Sequence, residues 1–329
     1  MTRPTIGFRK RTCSQTAGGF SLLELLVSIV VLTVVLGAMT QFMSMLQLRY
    51  VRQQQVAGAS QTGRTTLELL ALDIGQAGYY PGVATSSSSA LTAGTVLQWV
   101  AVGSVVGMYP GRVVQVGSSG DPAGIEDVTI AEVDPSGNQF RALITANHTI
   151  TPVPVRASEA PFPDGVSSPT YPASNTLRLF GDIRGAGNGT MRYIEYRYTP
   201  GAAGTCTGRL VRSDTDVWAT AQEPPVIVAD NVCNDASALV FRFDTPSSPT
   251  VLGPFTFVTN VMVDLQVRAQ QQTAAGTPAV EVTGAGGTKP IPLRQTFVPR
   301  NIMYALRVAN DGLMGNLPVK PPTVPVPVP

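Results

Sequence analysis

A largely apolar stretch without a charged side chain, Leu25 to Leu48, constrains the fold of this chain more than any other feature. At about 1.5 Å per residue, a helix of this length reaches roughly 36 Å, which is enough to cross a hydrocarbon core of about 30 Å with some tilt. Many of its residues are β-branched and would favour strand in water, but in lipid the backbone must satisfy its own hydrogen bonds. The stretch therefore predicts a membrane-spanning helix.

A basic segment precedes this stretch. Residues 1–19 contain no acidic residue and four basic ones: Arg3, Arg9, Lys10 and Arg11. Positive charge beside an apolar span keeps that end in the cytoplasm. A secretory signal peptide also begins with basic residues, but its apolar core has only about 7–15 residues and ends at a small-x-small site. Here the apolar run is longer, and Leu36-Gly37-Ala38 is a poor site of that kind.

One acidic residue, Glu24, lies at the cytoplasmic end of the predicted span. An ionised acid at the centre of a membrane helix costs on the order of 2.5–3.5 kcal/mol, and less near the interface. We therefore expect Glu24 to have a partner. The alternative is a carboxylate that reaches the head groups and has none.

The segment Gly18-Gly19-Phe20-Ser21-Leu22-Leu23-Glu24 resembles the cleavage and assembly signal of type IV pilins and of the pseudopilins of type II secretion. The resemblance implies that a prepilin peptidase cuts between Gly19 and Phe20 and that the new amino terminus, Phe20, is methylated. It also implies that Glu24 meets the Phe20 amine of a neighbouring subunit in the assembled fibre. The alternative is an uncleaved signal anchor.

A helical stripe continues beyond the apolar stretch, in Leu67, Leu70, Ile74 and Ala77, spaced three and four residues apart. It predicts that the same helix extends out of the membrane, packs one face on the following domain and stops around Gly78, while Gly58 and Gly63 weaken it and allow a bend.

The end of this stripe, Leu72 to Tyr79, resembles the segment that ends the long helix in minor pilins of the PilW type. Gly75 stands where a basic residue is common in that family. If that basic residue pairs with the acid before it in the family, Asp73 must find another partner or remain solvated.

Short apolar or alternating runs, separated by turn residues, follow the helix and predict antiparallel sheet folded onto its exposed half. Ser86 to Ser89 and the proline-rich region from Pro152 to Pro172 are expected to be surface loops, and Arg192 to Tyr198 a half-buried strand. The predicted strands are Val96–Val102, Arg112–Val116, Asp127–Val133, Phe140–Thr145, Thr176–Phe180, Met191–Tyr198, Arg209–Ser213, Val226–Ala229, Leu239–Phe243, Phe255–Val267 and Ile302–Val308.

The predicted fold class is α+β. The chain would comprise a removed leader (residues 1–19), a transmembrane and assembly helix (20–48), the periplasmic half of the same helix (49–80), a β-rich globular domain (81–317) and a disordered, proline-rich tail (318–329).

The chain has three cysteines, and Cys13 would be lost with the leader. The remaining pair, Cys206 and Cys233, predicts a disulfide in an exported domain. Two separate buried thiols are the alternative.

Few residues suggest catalysis or ligand binding. The single histidine, His148, is more typical of a structural or surface position than of a catalyst, and with one His and two cysteines a metal cluster is not expected. Asp121 and Glu126-Asp127 could hold a cation, but such acids in loops are usually solvated. The run from Gly185 to Gly189 imitates a dinucleotide loop but suits a hairpin better. We predict no enzyme activity and no cofactor.

Loss of four basic residues with the leader turns the formal net charge from +2 to slightly negative, which gives no electrostatic case for nucleic-acid binding.

The leading hypothesis is a structural minor pilin, anchored once in the bacterial inner membrane with its carboxyl-terminal domain in the periplasm. It would join other minor pilins and the major pilin in the pilus. A J-type minor pseudopilin of type II secretion is the nearest alternative. A membrane-anchored periplasmic enzyme or binding protein is the alternative of another class.

Overall fold

The computed structural model describes residues 21–79, 82–157, 161, 163–183, 191–202, 205–217, 219, 221–234, 237–245, 255–268, 290–313 and 317. Several predictions lie outside these residues: the cleavage and methylation positions Gly19 and Phe20, Cys13, the Gly185–Gly189 loop and the tail. The chain forms two compact units, Met1–Gln54 and Gln55–Pro329. A long amino-terminal helix and antiparallel sheets confirm the predicted α+β class.

The long helix, α1, runs without interruption from Leu22 to Gln76 and ends a few residues before the expected boundary at residue 80. Neither Gly58 nor Gly63 interrupts it. Gly78 follows with φ of 76°, a left-handed conformation that suits glycine after a helix. In the first unit, every described side chain of α1 is exposed.

Among the described residues, six strands form the first sheet, in the order β1-β6-β3-β4-β5-β2, and each neighbouring pair is antiparallel. The Gly103 amide donates to the Ser86 carbonyl at 3.1 Å, so the chain leaving β2 lies beside β1 and the sheet curves around its own core. The strands are β1 (Val83–Ser87), β2 (Gln98–Ala101), β3 (Val113–Gly117), β4 (Ile125–Asp134), β5 (Gln139–Ala142) and β6 (Val153–Ala157).

Within the described part of the chain, nine strands form the second sheet, in the order β7-β9-β10-β11-β12-β14-β13-β8, and β15 pairs with β14. A short 3₁₀ turn, Pro163–Gly165, precedes it. The strands are β7 (Val166–Ser167), β8 (Ala173–Ser174), β9 (Thr176–Gly181), β10 (Arg192–Thr199), β11 (Gly208–Asp216), β12 (Val226–Val232), β13 (Phe241–Asp244), β14 (Asn260–Val267) and β15 (Ile291–Phe297).

The last turns of α1 pack on the second sheet. The predicted stripe of Leu67, Leu70, Ile74 and Ala77 is buried in the core of that sheet, as expected for a helix with one apolar face. The Thr66 hydroxyl also donates to the Val228 carbonyl of β12 at 3.2 Å.

The predicted strand Ile302–Val308 is wrong, because this region is a second helix, α2, from Arg300 to Asn310. Ile302, Ala305 and Ala309 are its buried residues, and their spacing of three and four is that of a helix face. A short apolar run does not separate helix from strand by itself, and here packing against the core decides for helix.

The predicted loops at Ser86–Ser89 and Pro152–Pro172 are also wrong in part. Ser86 and Ser87 belong to β1, where they pair with Pro154 and Val153 of β6. The chain between Pro152 and Pro172 holds β6, the 3₁₀ turn and β7. Serine and proline disfavour strand locally, but hydrogen bonding to partners distant in sequence outweighs that preference.

Strand β10 is buried on both faces from Tyr193 to Tyr196 rather than half-buried as predicted, whereas Arg197 and Thr199 are exposed. Ile194, Tyr196 and Tyr198 face the core beneath α1. On the opposite face Tyr193 packs on Phe180, with ring centroids 4.9 Å apart, and Tyr109 of the first-sheet region packs on Phe180. An alternating pattern therefore does not imply a solvated face where another layer covers it.

Candidate functional site

The described chain begins next to the predicted signal. Ser21 lies one residue before α1, and its carbonyl accepts from the Glu24 and Leu25 amides at 3.0 and 3.1 Å. Glu24 is thus in the first turn of the helix, where the helix dipole favours a negative charge. Its side chain is exposed, and it forms no ion pair within the described residues. The structure therefore leaves this carboxylate available to a partner.

The serine and threonine hydroxyls of the apolar stretch are paired within the helix. The hydroxyls of Ser28, Thr33 and Ser44 donate to the carbonyls four residues earlier at 2.7, 2.7 and 2.9 Å, and Thr40 does so at 3.0 Å. Such bonds keep hydroxyl groups paired where no water is present. By length and composition, α1 can cross a membrane.

Comparison with known proteins identifies the same segment. Residues 15–40 match the family model of the prokaryotic N-terminal methylation motif. The chain therefore carries a type IV pilin-like signal, which fits a single-pass inner-membrane protein with a pilin or pseudopilin role. No curated protein and no solved structure matches the chain.

Asp73, near the end of α1, has the partners that the sequence left open. Its Oδ2 atom accepts from the Tyr196 hydroxyl at 2.6 Å and from Arg212 Nε at 2.8 Å. The Arg212 guanidinium also lies over the Tyr196 ring, 5.9 Å from its centroid. Tyr196 and Arg212 are cross-strand partners in β10 and β11. The two strands therefore each donate one hydrogen bond to the Asp73 carboxylate of α1.

The charges continue across the sheet. Arg212 Nη1 donates to Asp214 Oδ2 at 3.0 Å, Arg192 Nε donates to the other oxygen of Asp214, and Arg192 Nη1 lies 3.9 Å from Asp216. Alternating charges thus run from α1 to the far end of β10. We call Asp73, Arg212, Asp214, Arg192 and Asp216 the charge ladder. A buried ion pair of this kind is costly to break, because each remaining charge is left without compensation.

The surroundings fix the protonation of this site. Burial acts to lower the pKa of Arg212, but its hydrogen bond to Asp73 and the nearby negative charge outweigh burial, so the pKa is raised. Burial also raises the pKa of Tyr196, and the Asp73 carboxylate raises it further. At neutral pH Arg212 is therefore charged and Tyr196 is a neutral donor.

Glycines allow the chain after α1 to lie close against β9 of the second sheet. The Gly78 amide donates to the Phe180 carbonyl at 2.8 Å, and the Asp182 amide donates to the Tyr79 carbonyl at 3.1 Å. A Cβ atom at Gly165 would lie 2.3 Å from the Gly78 Cα atom. The Ala77-Gly78-Tyr79 ending, on which the PilW-type resemblance rests, is therefore a site of close backbone packing.

Helix α2 closes the same end of α1. The Asn301 side-chain amide donates to the carbonyls of Gln76 and Ala77 at 3.3 and 3.1 Å. These carbonyls have no partner within α1, because the last turn of a helix leaves its acceptors open.

The predicted disulfide between Cys206 and Cys233 is present and connects residues 27 positions apart. It joins the chain entering β11 to the chain leaving β12, next to the paired residues Gly208 and Val232. The bond therefore fixes one end of the sheet that receives α1.

His148 is fully buried, which is the structural rather than the surface position of the two that the sequence suggested. Its ring lies between the carboxylates of Asp121 and Glu126, acids that the sequence suggested were solvated or could hold a cation. The described residues contain no group of His, Cys, Asp and Glu side chains suited to a metal ion.

Sequence reasoning did not find Arg212 and Tyr196 as partners of Asp73. The available signal in the sequence was Arg212, at a strand position facing the core, where an apolar residue is usual. A charged arginine at such a position requires an acid nearby.

Proposed function

We propose that the chain is a structural minor pilin of the PilW type. A prepilin peptidase would cut it between Gly19 and Phe20 and methylate Phe20, after which it would take part in priming and assembly of a type IV pilus. The observation that carries the proposal is the methylation motif at residues 15–40 continued by a helix with an exposed, uncharged apolar stretch.

The helix suits both environments that such a subunit would occupy. Its exposed apolar side chains would contact lipid before assembly and the apolar helices of other pilins afterwards. Glu24, exposed in the first turn, would pair with the methylated amine of a neighbouring Phe20. That pairing would neutralise an acid that is costly in an apolar environment.

The domain that follows would serve assembly and not catalysis. The leader of the chain would lie in the cytoplasm and the β-rich domain in the periplasm. In the pilus, the protein would contact the major pilin and other minor pilins. No cofactor and no direct binding of nucleic acid belong to the proposal. The acids Asp73, Asp121 and Glu126 support it, because each contacts a basic or imidazole partner.

The same signal supports a second candidate, a J-type minor pseudopilin of type II secretion. Deletion of the gene separates the two. Loss of surface pili with normal enzyme secretion is expected for the minor pilin. Loss of an exported enzyme with normal piliation would assign the chain to secretion, and loss of neither would favour a membrane-anchored periplasmic enzyme or binding protein.

Complementation of the deletion strain tests the role of Glu24. The Glu24→Val variant should be inserted and cleaved normally but should restore few pili, because the acid that pairs with the neighbouring amine is gone. Glu68→Val, an exposed acid on the same helix outside the apolar stretch, is the matched control and should restore piliation. Normal piliation with Glu24→Val would remove this residue from the mechanism.

A further inference from the structure

The ring of His148 is enclosed at one end of the first sheet. Its Nε2 atom lies 3.2 Å from Glu126 Oε2, and its Nδ1 atom lies 3.5 Å from Asp121 Oδ2. The first distance is that of a hydrogen bond, whereas the second is that of an ion pair, and Nδ1 has no hydrogen-bond partner among the described residues. The His148 side chain is 0% exposed, and those of Asp121 and Glu126 are 1% and 12% exposed.

The backbone around the ring leaves it little freedom. The His148 amide donates to the Leu91 carbonyl at 2.8 Å, and the Leu91 amide donates back at 3.0 Å. A Cβ atom at Gly117 would lie 2.6 Å from the ring, and Gly117 has φ of 99°. Because the ring packs on the glycine backbone, it stays between the two acids.

Asp121 and Glu126 also accept hydrogen bonds from other residues, and these bonds fix the loops around the ring. Asp121 lies in the loop between β3 and β4 and accepts from the Ala123 amide at 3.1 Å. Glu126 accepts from the Thr145 amide at 2.6 Å, the Thr145 hydroxyl at 2.7 Å and the Ala146 amide at 3.2 Å. His148 therefore connects the β3–β4 loop, the start of β4 and the loop between β5 and β6.

The proton count of the ring decides how many of these contacts are hydrogen bonds. A neutral imidazole has one N–H donor and one acceptor nitrogen, whereas an imidazolium has two donors. With two carboxylates facing the ring, the neutral form places an acceptor nitrogen opposite one of them. Only the doubly protonated ring donates to both.

We propose that Asp121, His148 and Glu126 form a pH-sensitive clamp, which holds these three segments together most firmly when the ring carries both protons and both carboxylates are ionised. Asp121 from the β3–β4 loop and Glu126 from β4 are the charged groups that face the ring within the described residues. Gly117, Leu91 and Thr145 contribute no charge at this site.

The acidic limit of the clamp follows from Glu126. Burial acts to raise its pKa, but hydrogen bonds from Thr145, His148 and Ala146 together lower the pKa below its ordinary value of 4.5. The contribution of these bonds is therefore complete above pH 4.5 and is lost as the pH falls through the lowered value. Because only the doubly protonated ring donates to both carboxylates, the clamp should be firmer in mildly acidic than in mildly basic solution.

Amide hydrogen exchange of the full chain in detergent micelles tests this. Peptides covering residues 117–126 and 143–149 would be followed at pH 5.5 and pH 8.0, with correction for intrinsic exchange. Protection should fall about tenfold at the higher pH, which is the scale of one charged hydrogen bond. Peptides from β10 should show no such change.

Two variants establish the cause. His148→Gln cannot take up a second proton, so its protection should be low at both pH values. Glu126→Gln keeps the acceptor for Thr145 but removes one charge, so its protection should be nearly the same at both pH values. Asp127→Asn replaces an exposed neighbouring acid and should show the same pH-dependent change in protection as the wild type. A wild-type change in protection of less than twofold between the two pH values would overturn the proposal. A change in Glu126→Gln as large as that of the wild type would also overturn it. Both measurements remain decisive if His148→Gln fails to fold.

Discussion

The Nε atom of Arg212 lies 2.8 Å from the Oδ2 atom of Asp73, and this bond joins the last turns of α1 to the second sheet. The two residues are 139 positions apart in sequence. Arg212 thus supplies from a strand the positive charge that Gly75 does not supply from the helix. The charge ladder therefore neutralises Asp73 from the sheet rather than from its own helix.

Asp73→Asn should destabilise the domain by about 3 kcal/mol, because it leaves the buried Arg212 charge with less compensation. The measurement is urea unfolding of the full chain in micelles, followed by circular dichroism. The matched control is Glu68→Gln, which removes an exposed acid from the same helix and should change the free energy of unfolding by less than about 0.5 kcal/mol. Equal effects of the two substitutions would contradict the role of the ladder.

Gly63→Ala should lower stability relative to Gly58→Ala by about 1–3 kcal/mol. A Cβ atom at Gly63 would lie 2.1 Å from Leu293 Cδ1 of β15, so the leucine must move, whereas nothing lies within 4 Å of a Cβ atom at Gly58. Gly58→Ala should stabilise the helix by about 0.5–1 kcal/mol. Thermal melting compares the variants. Leu293→Ala added to Gly63→Ala should remove the clash, and failure to recover any stability would contradict this contact.

Gly165→Ala should cost about 3 kcal/mol, because the new Cβ atom would meet backbone atoms of Gly78, which cannot rotate away. The distances to the Gly78 Cα and N atoms would be 2.3 and 2.4 Å. Gly120→Ala is the control, since nothing lies within 4 Å of that position. If Gly165→Ala and Gly120→Ala melt at the same temperature within error, the end of α1 does not pack against the 3₁₀ turn as described.

Replacing Cys206 and Cys233 together with alanine should destabilise the domain by about 3 kcal/mol, mainly by freeing the unfolded chain. The loop that the bond closes spans 27 residues. Urea unfolding of the oxidised wild type, the reduced wild type and the double variant measures the effect. The reduced wild type should unfold like the variant, and unchanged midpoints in both would contradict a stabilising disulfide.

Some features were predictable from sequence because they depend on neighbouring residues. The stripe from Leu67 to Ala77 predicts the buried face of α1, and Gly78 predicts its end to within two residues. The pairing of Cys206 with Cys233 follows from parity and compartment. In these cases the local pattern and the tertiary structure agree.

Other features depend on partners far along the chain and were not predictable. The Ile302–Val308 run satisfies helix and strand patterns equally, and packing beneath α1 decides between them. Strand β1 contains serines and becomes a strand because β6 pairs with it. His148 lies more than twenty residues after Asp121 and Glu126, and its bridge to Leu91 helps to hold it beside them.

The central claim is that the chain keeps its apolar helix after processing and begins at Phe20. Mass spectrometry of the protein extracted from membranes tests it most directly. The account predicts an amino-terminal peptide that starts at methylated Phe20 and continues into the helix. An intact Met1 form as the sole species, or a soluble protein trimmed beyond Ala38, would contradict it.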